Sequence, residues 1–139
     1  MKISTKGQYG LTIMIALAKN YGQGPTPLKK IAKNNQLSEH YLEQLASPLR
    51  NAGLIKSIRG AYGGYVLPRE PKEINAGEII RALEGPITVV EGIEDEEPAK
   101  QALWLRIRDA VKGVLDHTTL EDLITTEGDS SNDAYMFYI

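Results

Sequence analysis

The sequence contains no cysteine. That absence excludes disulfides, thiol nucleophiles, zinc–thiolate sites and cysteine-ligated iron–sulfur clusters together. Histidine is nearly missing as well. His40 and His117 fall on different predicted elements with no acid–base partner in view, so an enzyme is not expected. The glycines Gly60, Gly63 and Gly64 are clustered, but no Walker lysine follows them and no phosphate-binding loop is implied. No apolar run approaches the roughly 18 residues that cross a bilayer. The opening Met1-Lys2-Ile3-Ser4-Thr5 lacks the apolar stretch of a signal peptide, so a cytoplasmic protein is expected. What remains is ordinary. Hydrophobic residues make up 42% and charged residues 24% of a 139-residue chain, enough for one domain or a small domain with an extension.

Acid is scarce in the first half only. Residues 1–69 carry ten Lys and Arg against two acids, Glu39 and Glu43, a net charge of +8. Residues 70–139 carry six against sixteen, a net charge of −10. A basic half points to a polyanionic partner, and an acidic half cannot face the same phosphates.

The apolar pattern divides the chain into short elements. Leu11 to Ala18 is apolar almost all round and reads as a buried helix, with Ser4 and Thr5 as candidate caps. Leu28, Ile31 and Ala32 share one face of a second helix, Leu28 to Asn34. Asn35-Gln36-Leu37 is short enough to be a tight turn before Ser38, the predicted cap of a helix from Glu39 to Asn51. Gly53 suits the left-handed residue past its end, and Pro48 should kink it or restart its last turn. Leu54 to Arg59 and Tyr65 to Leu67 read as two strands around a glycine turn. Asn75 opens another helix, with Ile79, Ile80 and Leu83 as its apolar side and Gly85-Pro86 as its stop. An acidic loop, Glu91 to Glu97, then leads to Pro98, a good first residue for a long helix. Leu103, Trp104, Ile107, Val111, Val114 and Leu115 form a wide stripe along that helix, suited to packing against a second copy. Thr118 to Glu121 resembles a capping box for a last short helix. Glu127 to Asp133 is polar and expected to be a loose linker before an apolar patch, Tyr135 to Ile139.

The expected fold is therefore mainly α with a small β-hairpin wing: a winged helix-turn-helix over residues 1–85, an acidic loop and dimerisation helix over 86–127, and a tail over 128–139. Such a second helix fits the major groove of DNA. Leu42, Leu45 and Leu49 should anchor it, which turns His40, Glu43, Gln44 and Ser47 outward as hydrogen-bonding groups for base edges. Ser38 and Tyr41 stand near its start, within reach of phosphates or bases. Glu43 is informative, because an acid in a basic half costs phosphate attraction unless it accepts from a cytosine amino group. In the hairpin, Arg59 can enter the minor groove or clamp phosphate, beside Gly60 and Tyr62. Lys2, Lys6, Lys29, Lys30 and Lys56 are candidates for sequence-independent phosphate contacts.

Three stretches carry a further signal: Ser38-Glu39-His40-Tyr41-Leu42-Glu43-Gln44-Leu45, Leu49-Arg50-Asn51-Ala52-Gly53-Leu54 and Ser57-Ile58-Arg59-Gly60-Ala61-Tyr62-Gly63-Gly64-Tyr65. With the opening Ile3-Ser4-Thr5-Lys6-Gly7-Gln8-Tyr9-Gly10, they resemble the Rrf2 family of bacterial regulators over essentially the whole chain. The resemblance implies DNA contacts at Ser38, Tyr41, Glu43 and Arg59, and a homodimer through the helix from Pro98, at Leu103, Trp104, Ile107 and Val111. Many members carry three cysteines before the long helix and a histidine on it. Here that loop is Glu91-Gly92-Ile93-Glu94-Asp95-Glu96-Glu97, and Gln101 stands for the histidine, so no metal site and no cofactor are expected. The cluster-free branch of the family implies a repressor of cysteine metabolism that takes its signal from a partner enzyme, a cysteine synthase. Tyr138 and Ile139 are then candidate contacts with that enzyme, since a carboxylate beside a branched apolar side chain mimics an amino-acid substrate. Packing of the same patch on the chain's own dimer stays open. So do two rival functions: a winged-helix regulator answering a small-molecule or redox signal, and a protein-binding adaptor.

Overall fold

A computed structural model of the chain describes residues 2–88 and 90–133. The expected Tyr135–Ile139 patch, with Tyr138 and Ile139, lies outside the described residues. The elements run α1 (Thr5–Lys19), α2 (Leu28–Asn35), α3 (Glu39–Asn51), β1 (Lys56–Ile58), β2 (Gly64–Val66), α4 (Ala76–Glu84), α5 (Pro98–Asp116) and α6 (Leu120–Asp133). Short 3-10 turns occupy Pro71–Glu73 and Ile93–Asp95. This is the winged helix-turn-helix architecture, and it corrects the sequence reading in several places.

α1 begins at Thr5, earlier than its apolar run, because Ser4 caps it by accepting from the Gly7 N–H. Thr5 is the first helical residue, not a cap. The helix is central and packs against α2, α3, α4 and α6. Ile13, Met14 and Leu17 are buried, joined by Ile31 of α2, by Leu42, Leu45 and Leu49 of α3, and by Ile79 and Leu83 of α4. Gly7 and Gly10 lie where α4 comes closest. A methyl group on Gly10 would overlap the Leu83 side chain, and one on Gly7 would stand 2.6 Å from Glu84 Oε1.

Pro48 sits inside one continuous helix and does not break it. The cost is the single bond that its missing N–H would have made to the carbonyl of Gln44. α4 is closed by a full capping box: Glu78 N–H donates to Asn75 Oδ1 at 2.9 Å, and Asn75 N–H donates to Glu78 Oε2 at 3.1 Å. The corresponding box of α6 is shifted by one residue from the expected Thr118/Glu121 pair. Thr119 and Asp122 exchange the two bonds, each 3.0 Å, while the Thr118 hydroxyl donates back to the Val114 carbonyl at the end of α5. Leu120 is fully buried in the N-terminal core, with Leu123 and Ile124 packed against it. α6 continues to Asp133 through the segment expected to be a loose linker.

The Gly10 crossing generates a stability test. Gly10→Val must displace Leu83 from a well-packed core, and overpacking of this kind costs about 1–3 kcal/mol. The urea midpoint should fall accordingly. A midpoint equal to wild type would show that α1 and α4 do not meet as closely as described.

Candidate nucleic-acid interface

α2 and α3 meet across a turn in which Gln36 adopts φ +55, the left-handed conformation, and the Leu37 N–H returns to the Ala32 carbonyl at 2.8 Å. That turn fixes how α3 is presented. α3 buries Leu42, Leu45, Ala46 and Leu49, which leaves Glu39, His40, Glu43 and Gln44 exposed and Ser47 half-buried on its outer side. His40 and Gln44, one turn apart, place Nε2 atoms 3.3 Å from one another, a hydrogen-bonded pair that limits the rotamers of both. Ser38 is exposed, and its oxygen accepts from the Tyr41 N–H at 3.3 Å, so its hydroxyl proton is still there to donate. Tyr41 is less free than the sequence suggests. It is half-buried, its ring edge-on to Tyr9 of α1 with centroids 5.9 Å apart. Its ring therefore helps seat α3 on α1.

The wing is a two-stranded antiparallel hairpin with Lys56 opposite Val66, Ser57 opposite Tyr65 and Ile58 opposite Gly64. β1 is shorter than predicted, with Leu54 and Ile55 drawn into the core, and β2 has the predicted length but lies one residue earlier, with Leu67 drawn into the core. Gly60 at φ +121 makes the turn possible, and Gly63 N–H closes it on the Gly60 carbonyl at 3.0 Å. Arg59, Gly60 and Tyr62 are exposed, and Tyr62 at 94% has almost no contact with the rest of the chain. Lys2, Lys6, Lys29, Lys30 and Lys56 are all exposed. Among the described residues none of these lysines, nor Arg59, is paired with a carboxylate.

Two features of the wing have no local sequence signal. Thr26, before α2, pairs with Tyr65 in an isolated antiparallel bridge, through Thr26 N–H to Tyr65 O at 3.0 Å and Tyr65 N–H to Thr26 O at 2.9 Å. Arg50, in the last turn of α3, donates to the Tyr65 hydroxyl at 3.2 Å. Tyr65 thus ties the wing to both helices of the helix-turn-helix.

α5 has nineteen residues and buries none of them. Leu103, Ile107 and Val114 are exposed at 47%, 37% and 67%, while Trp104, Val111 and Leu115 are half-buried. The Trp104 Nε1–H is shielded from solvent without an acceptor among the described residues. Ile3, Ala110, Val111, Val114 and Leu115 line an apolar groove of about 340 Å³ beside it. Arg81 and Asp116, 2.7 Å apart, fasten the far end of α5 to α4, and each holds the other in its charged form, with Asp116 lowered in pKa and Arg81 raised. A helix this apolar and this uncovered needs a second surface. Trp104→Ala combined with Ile107→Asp should give a folded monomer in sedimentation velocity. A variant that remains dimeric would remove α5 from the interface.

The chain matches the family model described as "Rrf2: Iron-dependent Transcriptional regulator" over residues 3–126. It is 73% identical over 139 residues to the HTH-type transcriptional regulator CymR of Bacillus subtilis (strain 168), with all of both chains covered. Its fold is similar to the solved structure of "CymR (YrzC) the Global Cysteine Regulator of B. subtilis", at a TM-score of 0.85 and 75% identity over 90% of this chain and 97% of that one. The HTH-type transcriptional regulator IscR of Escherichia coli O1:K1 / APEC is 35% identical over 133 residues, 91% of this chain and 82% of its own.

The residues here do not fit the iron chemistry in the family's description. The chain has no thiolate to offer, and among the described residues no three His, Asp or Glu side chains converge on one point. Gln101 makes a different bond, its amide donating to the Ile93 carbonyl at 3.1 Å and so holding the acidic loop against α5. A hydrogen bond of this kind fixes the loop without a metal. Protein purified without oxygen should contain no stoichiometric iron, and chelators should leave its DNA binding unchanged; chelator-sensitive binding would contradict this. With its helix-turn-helix, its wing and its end-to-end similarity to these regulators, the chain belongs to the Rrf2 family of transcriptional regulators.

Proposed function

We propose that this chain is a homodimeric repressor of cysteine-metabolism genes, controlled through a cysteine synthase. The observation that carries the reading is the 73% identity, end to end, with CymR of Bacillus subtilis, whose solved structure is described as that of a global cysteine regulator. In the proposed complex α3 enters the major groove. Glu43 accepts from a cytosine amino group, Gln44 and His40 address neighbouring base edges, and Ser38 and Tyr41 position the helix on phosphates. Arg59 reaches the minor groove or its phosphates, the backbone at Gly60 comes close, and Tyr62 packs on the sugar–phosphate wall. Lys2, Lys6 and Lys29 supply attraction that does not depend on sequence. Dimerisation through Leu103, Trp104, Ile107 and Val111 sets the two half-sites about one helical turn of DNA apart. The acidic half stays on the side away from the phosphates. The Tyr135–Ile139 segment, with Tyr138 and Ile139, is the proposed contact with the synthase.

Genomic footprinting with and without the synthase tests the reading. Sites should cluster at sulfur-supply genes, and their occupancy should change when the enzyme is present. Sites elsewhere, or occupancy indifferent to the enzyme, would refute it. Replacing Tyr138 and Ile139 with alanine should abolish the enzyme's effect and spare the dimer. On the footprinted duplex, Arg59→Ala should weaken binding by about 1–3 kcal/mol. Glu43→Ala should relax base preference with total affinity equal or higher, since it removes an acid from a surface that meets a polyanion. Unchanged profiles in both variants would remove α3 and the wing from recognition.

A further inference from the structure

An open cleft of about 550 Å³ lies between α1 and α2, in the size range of small-molecule sites. Ile31 contributes to its apolar lining, and none of its lining residues is acidic. Its polar residues are bonded unevenly. Thr26 is only 6% exposed. Its oxygen accepts from Asn20 Nδ2 at 2.9 Å, but its own hydroxyl proton meets no acceptor among the described residues. Both amide hydrogens of Asn20 are spent, the second on the Gly24 carbonyl at 3.1 Å. The Asn35 amide is spent on the Ile31 carbonyl at 2.9 Å. The Thr26 hydroxyl proton, the exposed Asn34 amide and the exposed Lys30 ammonium meet no acceptor among the described residues, and Lys19 lines the cleft as a second cation.

A buried donor without an acceptor is costly. A ligand with anionic acceptor oxygens satisfies the Thr26 hydroxyl and the Lys30 ammonium together. We propose that the α1–α2 cleft binds a small monocarboxylate, its oxygens held by Thr26, Lys30 and Asn34 and its short apolar chain set against Ile31. The apolar part of the lining, Ile15, Ala16 and Ile31, suits a carboxylate that carries a short apolar chain. The position gives the site a consequence. Thr26 is also the residue whose backbone pairs with Tyr65 of the wing. An occupant therefore sits beside the Thr26–Tyr65 bridge that anchors the wing.

Sodium acetate is the probe, titrated into the full isotope-labelled chain and followed by amide resonances, with sodium chloride at matched ionic strength beside it. Acetate should give saturable shifts at Asn20, Thr26, Lys30 and Asn34 that chloride does not. Thr26→Val should weaken the apparent affinity about tenfold or more, as the loss of a hydrogen bond to a charged group implies. Lys30→Gln and Asn34→Ala, both at exposed positions, should each weaken it as well, which keeps the test decisive if Thr26→Val does not fold. Shifts that stay linear in salt and are the same for acetate and chloride would overturn the proposal. So would shifts that appear at these residues only when a DNA duplex is added, since Lys30 would then be a phosphate contact and the cleft no carboxylate site.

Discussion

Two glycines on α1 decide how the helical domain closes. At Gly10 the absence of a side chain lets Leu83 of α4 reach the core. At Gly7 it makes room for the carboxylate of Glu84, which accepts from both the backbone N–H and the hydroxyl of Ser4. The first turn of α1 has no acid of its own, so Glu84 places a negative charge at the positive end of the helix from another element. α1, held in this way, is the surface on which the other helices are set. α3 meets it through Tyr41 against Tyr9 and through the leucines it buries, and α6 meets it with Leu120, Leu123 and Ile124 beneath. The orientation of the outward face of α3 is thus a consequence of packing several residues away from any base it would read.

The second constraint is what α5 leaves undone. Burial of apolar area is the main favourable term in folding, about 25 cal/mol per Å². A nineteen-residue helix without one buried side chain gains little of it alone. The Arg81–Asp116 pair is more than a third exposed and contributes modestly. The stripe through Leu103, Ile107 and Val114 is therefore costly while uncovered, and in the proposed dimer a second copy covers it. Gln101 holds the acidic loop to this helix by donating to the Ile93 carbonyl.

Much of this was legible in the residues. Period-3.6 patterns marked α2, α3, α4 and α5, Ser38 and Asn75 announced two helix starts, and the outward face of α3 followed from where its leucines fall. The misses have physical reasons. Thr118/Glu121 and Thr119/Asp122 fit a capping box equally well, and only tertiary structure chooses between them: the Leu120 N–H bonds to the Ile74 carbonyl at 2.9 Å and its side chain enters the core. The spacing of Leu120, Leu123 and Ile124 is a helical one and was available as a sign that α6 packs back. Thr26 pairing with Tyr65, and Arg50 reaching the same tyrosine, join residues far apart in sequence, where no local pattern operates. The polar composition after Glu127 suggested a linker, yet a helix already nucleated and anchored propagates at small cost per residue.

Charge separates the two tasks along the chain, with a net +8 over residues 1–69 and −10 over residues 70–139. Among the described residues, Lys2, Lys6, Lys29, Lys30, Lys56 and Arg59 have no carboxylate partner, while most of the acids lie on the loop and helices that follow. If that arrangement exists to meet DNA, binding must release counterions from the phosphates. The decisive measurement is the affinity of the full chain for a footprinted duplex as a function of salt. Six to ten phosphate contacts would make that affinity fall by about 10³–10⁵ between 50 and 200 mM salt. An affinity that scarcely changes over that range would contradict the assignment of the basic half to DNA.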